Sequence, residues 1–310
     1  MLTQNTSAIN MTTFFSIPRI WTDRISNTWL NIATFFLLLL PLAIGLGLVL
    51  KSFPLFSTHS FFRLIGSSDW SPMDGKFGFY AFIIGSLLVT LLSFILSAPV
   101  CLLAAIYLTQ YAPRWLMQAM YFIIDVLAGI PSVVYGVWGV LVIVPLISGH
   151  IAPAFGFTST GYCLLSGGIV LAIMVVPYML NMLMEVLRSI PIELKEASLS
   201  LGATYWETIK WVLLREGKTG IIAAMNLGIS KALGETIAVL MVVGNVAQVP
   251  QNVFQAAYPL PALIANNYGD MMSIPLYDAA LMLSALLLFM MIIIFNILTS
   301  LLLYKKGKTN

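Results

Sequence analysis

The chain has 310 residues, 60% of them hydrophobic and 9% charged, with a mean hydropathy of +0.96 and a formal net charge of +3. Soluble domains carry roughly a quarter charged residues and about half apolar ones, so the composition excludes an ordinary soluble protein and makes the bilayer the solvent. Two cysteines, Cys101 and Cys163, without a Cys/His cluster give neither a disulfide framework nor a metal site, and there is no Walker-type phosphate loop or nucleic-acid-binding patch.

Residues 1–28 form a polar segment, uncharged up to Arg19. No small-residue cleavage site follows the first apolar run, which is read as a retained helix and not as a removable signal. A hydrocarbon core about 30 Å thick needs about 20 apolar helical residues to cross it. Six stretches qualify: 29–50, 78–108, 118–147, 162–187, 217–247 and 276–303. Several exceed the minimum, so tilt or extension beyond the lipid is expected. Pro41, Pro99, Pro131 and Pro177 interrupt them. Such breaks are tolerated where neighbouring helices or a water-filled cavity satisfy the freed backbone groups, and the expectation is an all-α bundle packed around a pathway.

The connections set the orientation. With six spans both termini share a side, and on that side lie Arg19, Arg24, Arg114, Arg188, Lys195, Lys210, Arg215, Lys218, Lys305, Lys306 and Lys308. The opposite connections hold only Lys51, Arg63 and Lys76. Cytoplasmic loops carry the excess of Lys and Arg, so the termini, the loops near 109–117 and 188–216 and the tail at 304–310 are cytoplasmic. The segments 51–77, 148–161 and 248–275 then face outward, with aromatics such as Trp70, Tyr258 and Tyr268 but no domain-sized insertion. His59 and His150 are isolated there and read as solvated loop residues.

In the third span Asp125 is the puzzling acid. Ionised on an anion route it would repel substrate, so a structural or gating partnership is preferred. The loop after span four reads PIELKEASLSLGATYWETIKWVLLRE over residues 191–216. Pro191 suits a first helical turn, and Glu193 and Glu196 suit a positive helix end. Gly202 stops this helix, and Thr204 with Glu207 is a capping-box pattern that starts another. The product is a helix, a glycine turn and a helix, which fits a docking element and equally fits a hairpin that only connects two spans.

In span five Lys231 and Glu235 are four apart, hence on one helical face. A lone charge at the bilayer centre costs about 2.5–3.5 kcal/mol on insertion scales. The pair therefore either keys helix packing or marks a path, and intramembrane ions favour the path. Ser132, Tyr135 and Thr236 can add hydroxyl donors along it, or satisfy helix–helix hydrogen bonds. Glu185 and Asp278 lie close enough to span ends to be solvated. The Met- and Phe-rich last span reads as lipid-facing packing.

Glu196-Ala197-Ser198, then three residues, Gly202, then nine residues and Val212-Leu213-Leu214 resembles the EAA loop of binding-protein-dependent ABC importers. The strings AGIPSVVYGVWG (128–139) and KALGET (231–236), with Gly244-Asn245 and Trp70-Ser71-Pro72, resemble the PstC-type permeases of phosphate importers, and the likeness runs from about residue 65 to 303. The sequence departs at Ser198, where the loop has a second alanine, at Arg215, where a proline often ends it, and at Lys231, where arginine is usual. The resemblance implies a type I ABC importer permease with a MetI-like core. A first span and outer loop (29–77) precede a transmembrane domain (78–303) whose coupling loop is 188–216, with spans two to six as the core and span one at the edge. It implies alternating access, with Lys231, Glu235, Thr236, Ser132 and Tyr135 along the substrate path and Glu196, Ala197, Ser198 and Gly202 contacting an ATPase. The chain itself is then no enzyme and holds no cofactor, since ATP and Mg would bind the partner. The implied partners are a homologous PstA-type permease, a PstB-type ATPase dimer, a PstS-type phosphate-binding protein and membrane lipids, with no nucleic acid. Alternative readings are a permease for molybdate or sulfate, an ion-coupled secondary transporter, and a membrane sensor of phosphate status.

Overall fold

A computed structural model describes residues 19–269, 274 and 276–307. The expectations for the first 18 residues and for Lys308 lie outside the described residues. The chain divides into two units, 1–47 and 48–310. In the first, the described residues are helical, belonging to α1 (Arg19–Thr58), and carry exposed apolar side chains such as Trp29, Phe36 and Leu42. A helix with no water to solvate its backbone must satisfy it internally, and α1 continues through Pro41, which has no N–H to give to the Leu37 carbonyl.

The second unit holds the rest. After α2 (Phe61–Gly66) comes a two-stranded antiparallel hairpin, β1 (Trp70–Ser71) and β2 (Lys76–Phe77), paired Trp70 to Phe77. Trp70 packs edge-on against Phe77, Phe79, Phe82 and Tyr277. The long α3 (Tyr80–Ile106) continues through a π-helical turn, Tyr107–Tyr111. Its buried positions are mostly small, among them Gly85, Ser86, Ser93, Ser97, Ala98 and Cys101, and small residues let membrane helices approach closely. Its partner is α8 (Leu164–Ser189), where a Cβ on Gly168 would lie 2.6 Å from Leu92 Cδ2.

Between these two, α4 (Arg114–Gly129) ends before Pro131. A new helix then runs as α5 (Ser132–Trp138), α6 (Val144–Leu146) and α7 (Ala152–Ala154), joined by π-helical turns at Gly139–Ile143 and Ile147–Ile151. After α8 comes α9 (Ile192–Ser200), then α10 (Tyr205–Glu207) and α11 (Leu214–Glu216) linked by the π-helical stretch Thr208–Leu213. Next are α12 (Lys218–Gly234), the short α13 (Ile237–Val242), α14 (Leu260–Asn267) and α15 (Tyr277–Gly307). Leu260 N–H at the start of α14 donates to Ser86 Oγ at 2.8 Å, so a buried hydroxyl of α3 satisfies an orphan donor of that helix end.

Five described helices are long and apolar enough to span: Ser26–Thr58, Tyr80–Tyr111, Ser132–Ala154, Leu164–Ser189 and Tyr277–Leu301. Two sequence expectations are corrected. The predicted span 118–147 straddles two helices. Ile130 is extended (φ −69°, ψ 128°) because the ring of the following proline disfavours the helical region for it, and the spanning helix starts at Ser132. Asp125 therefore sits outside that span, exposed on α4. The predicted span 217–247 is likewise no single helix, for α12 stops at Gly234 after 17 residues, about 26 Å of rise. By contrast Pro99 and Pro177 lie inside unbroken helices.

The glycines of the 128–139 string explain how the pieces pack. A Cβ on Gly139 would lie 2.6 Å from Val170 Cγ2 and 2.9 Å from Val242 Cγ1, so α8 and α13 both close on this point. Overpacking a filled core costs about 1–3 kcal/mol. Gly139→Ala is expected to lower the thermal midpoint of the detergent-solubilised protein by several degrees. Gly129→Ala, which meets nothing within 4 Å, is the control and should leave it unchanged.

Candidate functional site

Two regions carry the residues singled out by sequence. The first is the hairpin α9–α11. Gly202 takes φ +85°, the left-handed conformation that reverses the chain after Leu201 and suits glycine. Thr204 then caps α10. Its Oγ1 accepts from Glu207 N–H at 3.3 Å, while the Glu207 carboxylate accepts from Thr204 N–H at 2.9 Å and its hydroxyl at 2.7 Å. The arms are joined by a 2.9 Å hydrogen bond between the hydroxyls of Ser198 and Thr208. A serine at the position of the second motif alanine thus has a structural purpose here.

A brace ties the hairpin to the end of α3. Tyr205 OH donates to the Gln110 carbonyl at 2.7 Å and accepts from Lys195 Nζ at 2.6 Å. Lys195 Nζ also donates to Gln110 Oε1 at 3.0 Å, and Tyr111 packs edge-on against Tyr205. A rigid link therefore runs from hairpin to spanning helix. Around the turn Glu196 and Ala197 are exposed, Leu201 is 90% exposed, and Trp206 and Trp211 are exposed as well. Such an apolar surface beside polar caps is what a docking face requires.

The Glu207 carboxyl is held below its ordinary range, chiefly by the Thr204 backbone N–H and then by its hydroxyl. Because the folded value is depressed, this cap is complete above the ordinary carboxylate range and is lost as pH falls through the depressed value. Removing an N-cap costs about 1 kcal/mol, roughly fivefold in local opening. Thr204→Ala is thus expected to speed hydrogen exchange at the Glu207 amide about fivefold. In acid it is the Thr204 amide, which donates to the Glu207 carboxylate, whose exchange, corrected for the intrinsic rate, should rise as that carboxylate is protonated.

The second region surrounds the two helix breaks. Lys231 occupies the last turn of α12, where the helix dipole favours a cation. Its Nζ lies 4.2 Å from the centroid of the Tyr178 ring, a cation–π contact. Glu235 follows the end of α12 in extended conformation, with φ −75° and ψ 130°. The expectation that Lys231 and Glu235 share a helical face is therefore corrected: the i, i+4 rule needs four helical residues, and Gly234 ends the helix between them. Lys231 and Glu235 are not paired in a salt bridge. Glu235 instead lines a small pocket with the hydroxyl-bearing residues Ser86 and Thr90 of α3.

The tyrosines close the other break. The last carbonyls of α4 have no helical partner, and Tyr135 OH donates to Leu127 O at 2.8 Å while Tyr178 OH donates to Ala128 O at 2.9 Å. The Tyr135 proton is thus committed to the backbone. Ser132, in the first turn of α5, is half-buried, with no hydrogen-bond partner for its hydroxyl among the described residues. Thr236 makes only a long 3.4 Å contact to Gly234 O. A cation and two available hydroxyls therefore lie at or beside helix breaks, which membrane proteins tolerate only inside protein or against a water-filled cavity.

Sequence reasoning missed a further polar group. Asn226 Nδ2 donates to Asn296 Oδ1 at 2.7 Å, Ser230 donates to the same oxygen at 3.1 Å, and Thr299 donates to Asn226 Oδ1 at 2.8 Å. The final span is not only lipid-facing packing, since these bonds lock α15 to α12. The lone Asn in an otherwise apolar run was the available signal.

Comparison with known proteins adds the following. The profile of the family described as binding-protein-dependent transport system inner membrane component matches residues 98–305. The chain is 35% identical over 269 residues to the phosphate transport system permease protein PstC of Pasteurella multocida, covering 82% of this chain and 83% of that one. It is 34% identical over 238 residues to the probable phosphate transport system permease protein PstC of Methanocaldococcus jannaschii, covering 73% and 75%. Among solved structures, a chain of the MetNI methionine ABC transporter in inward-facing conformations superposes with a TM-score of 0.55 at 19% identity, over 71% of this chain and 92% of that one. That likeness establishes the fold, a type I importer permease with a MetI-like core.

Proposed function

The chain belongs to the binding-protein-dependent transport system inner membrane component family, and from that membership we propose that it is a permease subunit of an ATP-driven phosphate importer. The likeness to phosphate permeases along most of the chain carries this reading. It has no bond-making task. ATP and Mg would be held by a PstB-type ATPase pair, a PstA-type permease would complete the pathway, and a PstS-type binding protein would deliver phosphate from outside.

The geometry supports a division of labour between the hairpin and the helix breaks. The hairpin at Ile192–Glu216 offers Leu201, Trp206 and Trp211 to the ATPase, with Glu196, Ala197, Ser198 and Gly202 shaping the docking turn. Closure of the ATPase would be passed through Lys195, Tyr205 and Gln110 into α3. The breaks at Pro131 and Gly234 provide the places where the path can open and shut. Lys231 would meet the passing anion as a flexible point charge, in contrast to the planar fork of an arginine, with Ser132 and Thr236 adding hydroxyl protons. Tyr135 supports the path by capping α4, and Glu235, across the break from Lys231, would set the local charge balance.

The distribution of Lys and Arg supports cytoplasmic termini, with α12 and α13 together making the fifth of six crossings. A membrane-impermeant amine reagent should then label Lys51 and Lys76 in intact cells and spare Lys195. The reverse pattern would overturn the orientation. For transport, the chain expressed with its partner subunits in cells lacking high-affinity phosphate permeases should restore ATP-dependent uptake of radiolabelled phosphate. Uptake that persists after ATP depletion and follows an ion gradient would discard the importer reading.

A further inference from the structure

At the end of α3 remote from the coupling hairpin, His59, Arg63, Leu64, Ser67, Asp69, Lys76 and Phe77 line an open pocket of about 80 Å³. The helix between the two places spans 32 residues, about 48 Å at 1.5 Å per residue. The outer connections hold just three Lys and Arg residues, Lys51, Arg63 and Lys76, and two of them meet in this one pocket although they come from α2 and β2.

The walls of the pocket are held by the chain's own hydrogen bonds. Phe79 N–H donates to Leu64 O at 2.8 Å and Tyr80 N–H to Ser67 O at 3.1 Å, while a Cβ on Gly78 would collide with the backbone of Ser67 and Asp69. His59 pins the hairpin. Its Nε2 contacts the Gly75 carbonyl at 3.0 Å and its Nδ1 the Thr58 hydroxyl at 2.9 Å, so both ring nitrogens are engaged and the imidazole forms a wall. Ser67 Oγ accepts from Asp69 N–H at 3.1 Å, which leaves its own proton free to donate. The donors available to a ligand are thus the guanidinium of Arg63, the ammonium of Lys76 and the Ser67 hydroxyl. Asp69 supplies one opposing carboxylate, so the balance stays positive.

We propose that this pocket is a second anion site, on the outer face, that binds a single phosphate group, either of a lipid headgroup or of free inorganic phosphate. Its volume admits about three waters, which matches one tetrahedral oxyanion. Arg and Lys together are the residue types that phosphate recognition uses, a fork and a point charge. Its outward position rests on the proposed function; the site itself does not.

The test is the rate of acylation of Lys76 by an amine reagent, followed by peptide mass spectrometry on the intact complex in uncharged detergent, with Lys51 as the internal control. Inorganic phosphate or phosphatidylglycerol in mixed micelles is added at constant ionic strength. A ligand at about ten times its Kd should slow Lys76 about tenfold without slowing Lys51, and Arg63→Gln should remove the protection. Protection by inorganic phosphate identifies a free-ion site, and protection by phosphatidylglycerol alone identifies a headgroup site; both uphold the proposal. Equal acylation with and without either ligand, equal slowing of Lys51, or protection only when the binding protein docks would overturn it.

Discussion

Replacement of Gly202 by aspartate is expected to leave the permease folded and assembled in the membrane while abolishing ATP-coupled uptake. Gly202 has φ +85° and nothing within 4 Å of where a Cβ would stand, so the substitution meets no steric obstacle within the chain. Its cost is conformational, about 1–2 kcal/mol for an L-residue in the left-handed region, which aspartate enters occasionally. That cost falls on an exposed turn and leaves the spanning helices untouched. The turn, however, is the exposed tip of the hairpin beside Leu201, where an ATPase surface would close. An uncompensated charge buried in an interface costs about 2–5 kcal/mol, with each 1.4 kcal/mol worth about tenfold in affinity. Co-purification of the ATPase should fall, and uptake should fall with it. Unchanged co-purification together with unchanged uptake would mean the hairpin is only a connection.

Lys231→Met is expected to reduce phosphate uptake by about tenfold to a hundredfold at full expression. Deleting a charge from a span removes an insertion cost of about 2.5–3.5 kcal/mol, so the variant is not expected to fold or insert less well. What it loses is the cation over Tyr178. A hydrogen bond to a charged group contributes about 1.5–3 kcal/mol, which sets the range of the effect. Lys231→Arg should keep most of the uptake. Tyr178→Phe separates the alternatives, because it retains the ring beneath the ammonium but removes the hydrogen bond to Ala128 O. It should lower thermal stability and spare uptake. Wild-type uptake by Lys231→Met would make Lys231 a packing residue.

The parts of the fold that were legible in the sequence are those set by local chemistry and by the bilayer. Apolar length found α3, α8 and α15, and the spacing of Pro191, Gly202, Thr204 and Glu207 found the hairpin with its cap. Apolar length also concealed two breaks. Hydropathy runs smoothly through Pro131 and Gly234, so 118–147 and 217–247 each read as one span, although Pro131 and the Gly-Glu-Thr step were visible as helix-ending chemistry. The same error put Lys231 and Glu235 on one face. Contacts between distant segments left no local trace. Nothing near Tyr178 announces that it caps α4 and carries Lys231, and nothing near Gln110 announces Lys195 and Tyr205 as its partners. The grouping of Arg63 with Lys76 depends on a hairpin that two short strands and a glycine at φ +68° create.

The most direct measurement is ATP hydrolysis by the four-part complex reconstituted in liposomes, with the binding protein loaded in turn with phosphate, sulfate or molybdate. The phosphate-loaded protein should stimulate hydrolysis and phosphate should accumulate on the side of the binding protein's opposite face. Stimulation by sulfate or molybdate in place of phosphate would contradict the substrate, and hydrolysis indifferent to every loaded form would contradict the importer.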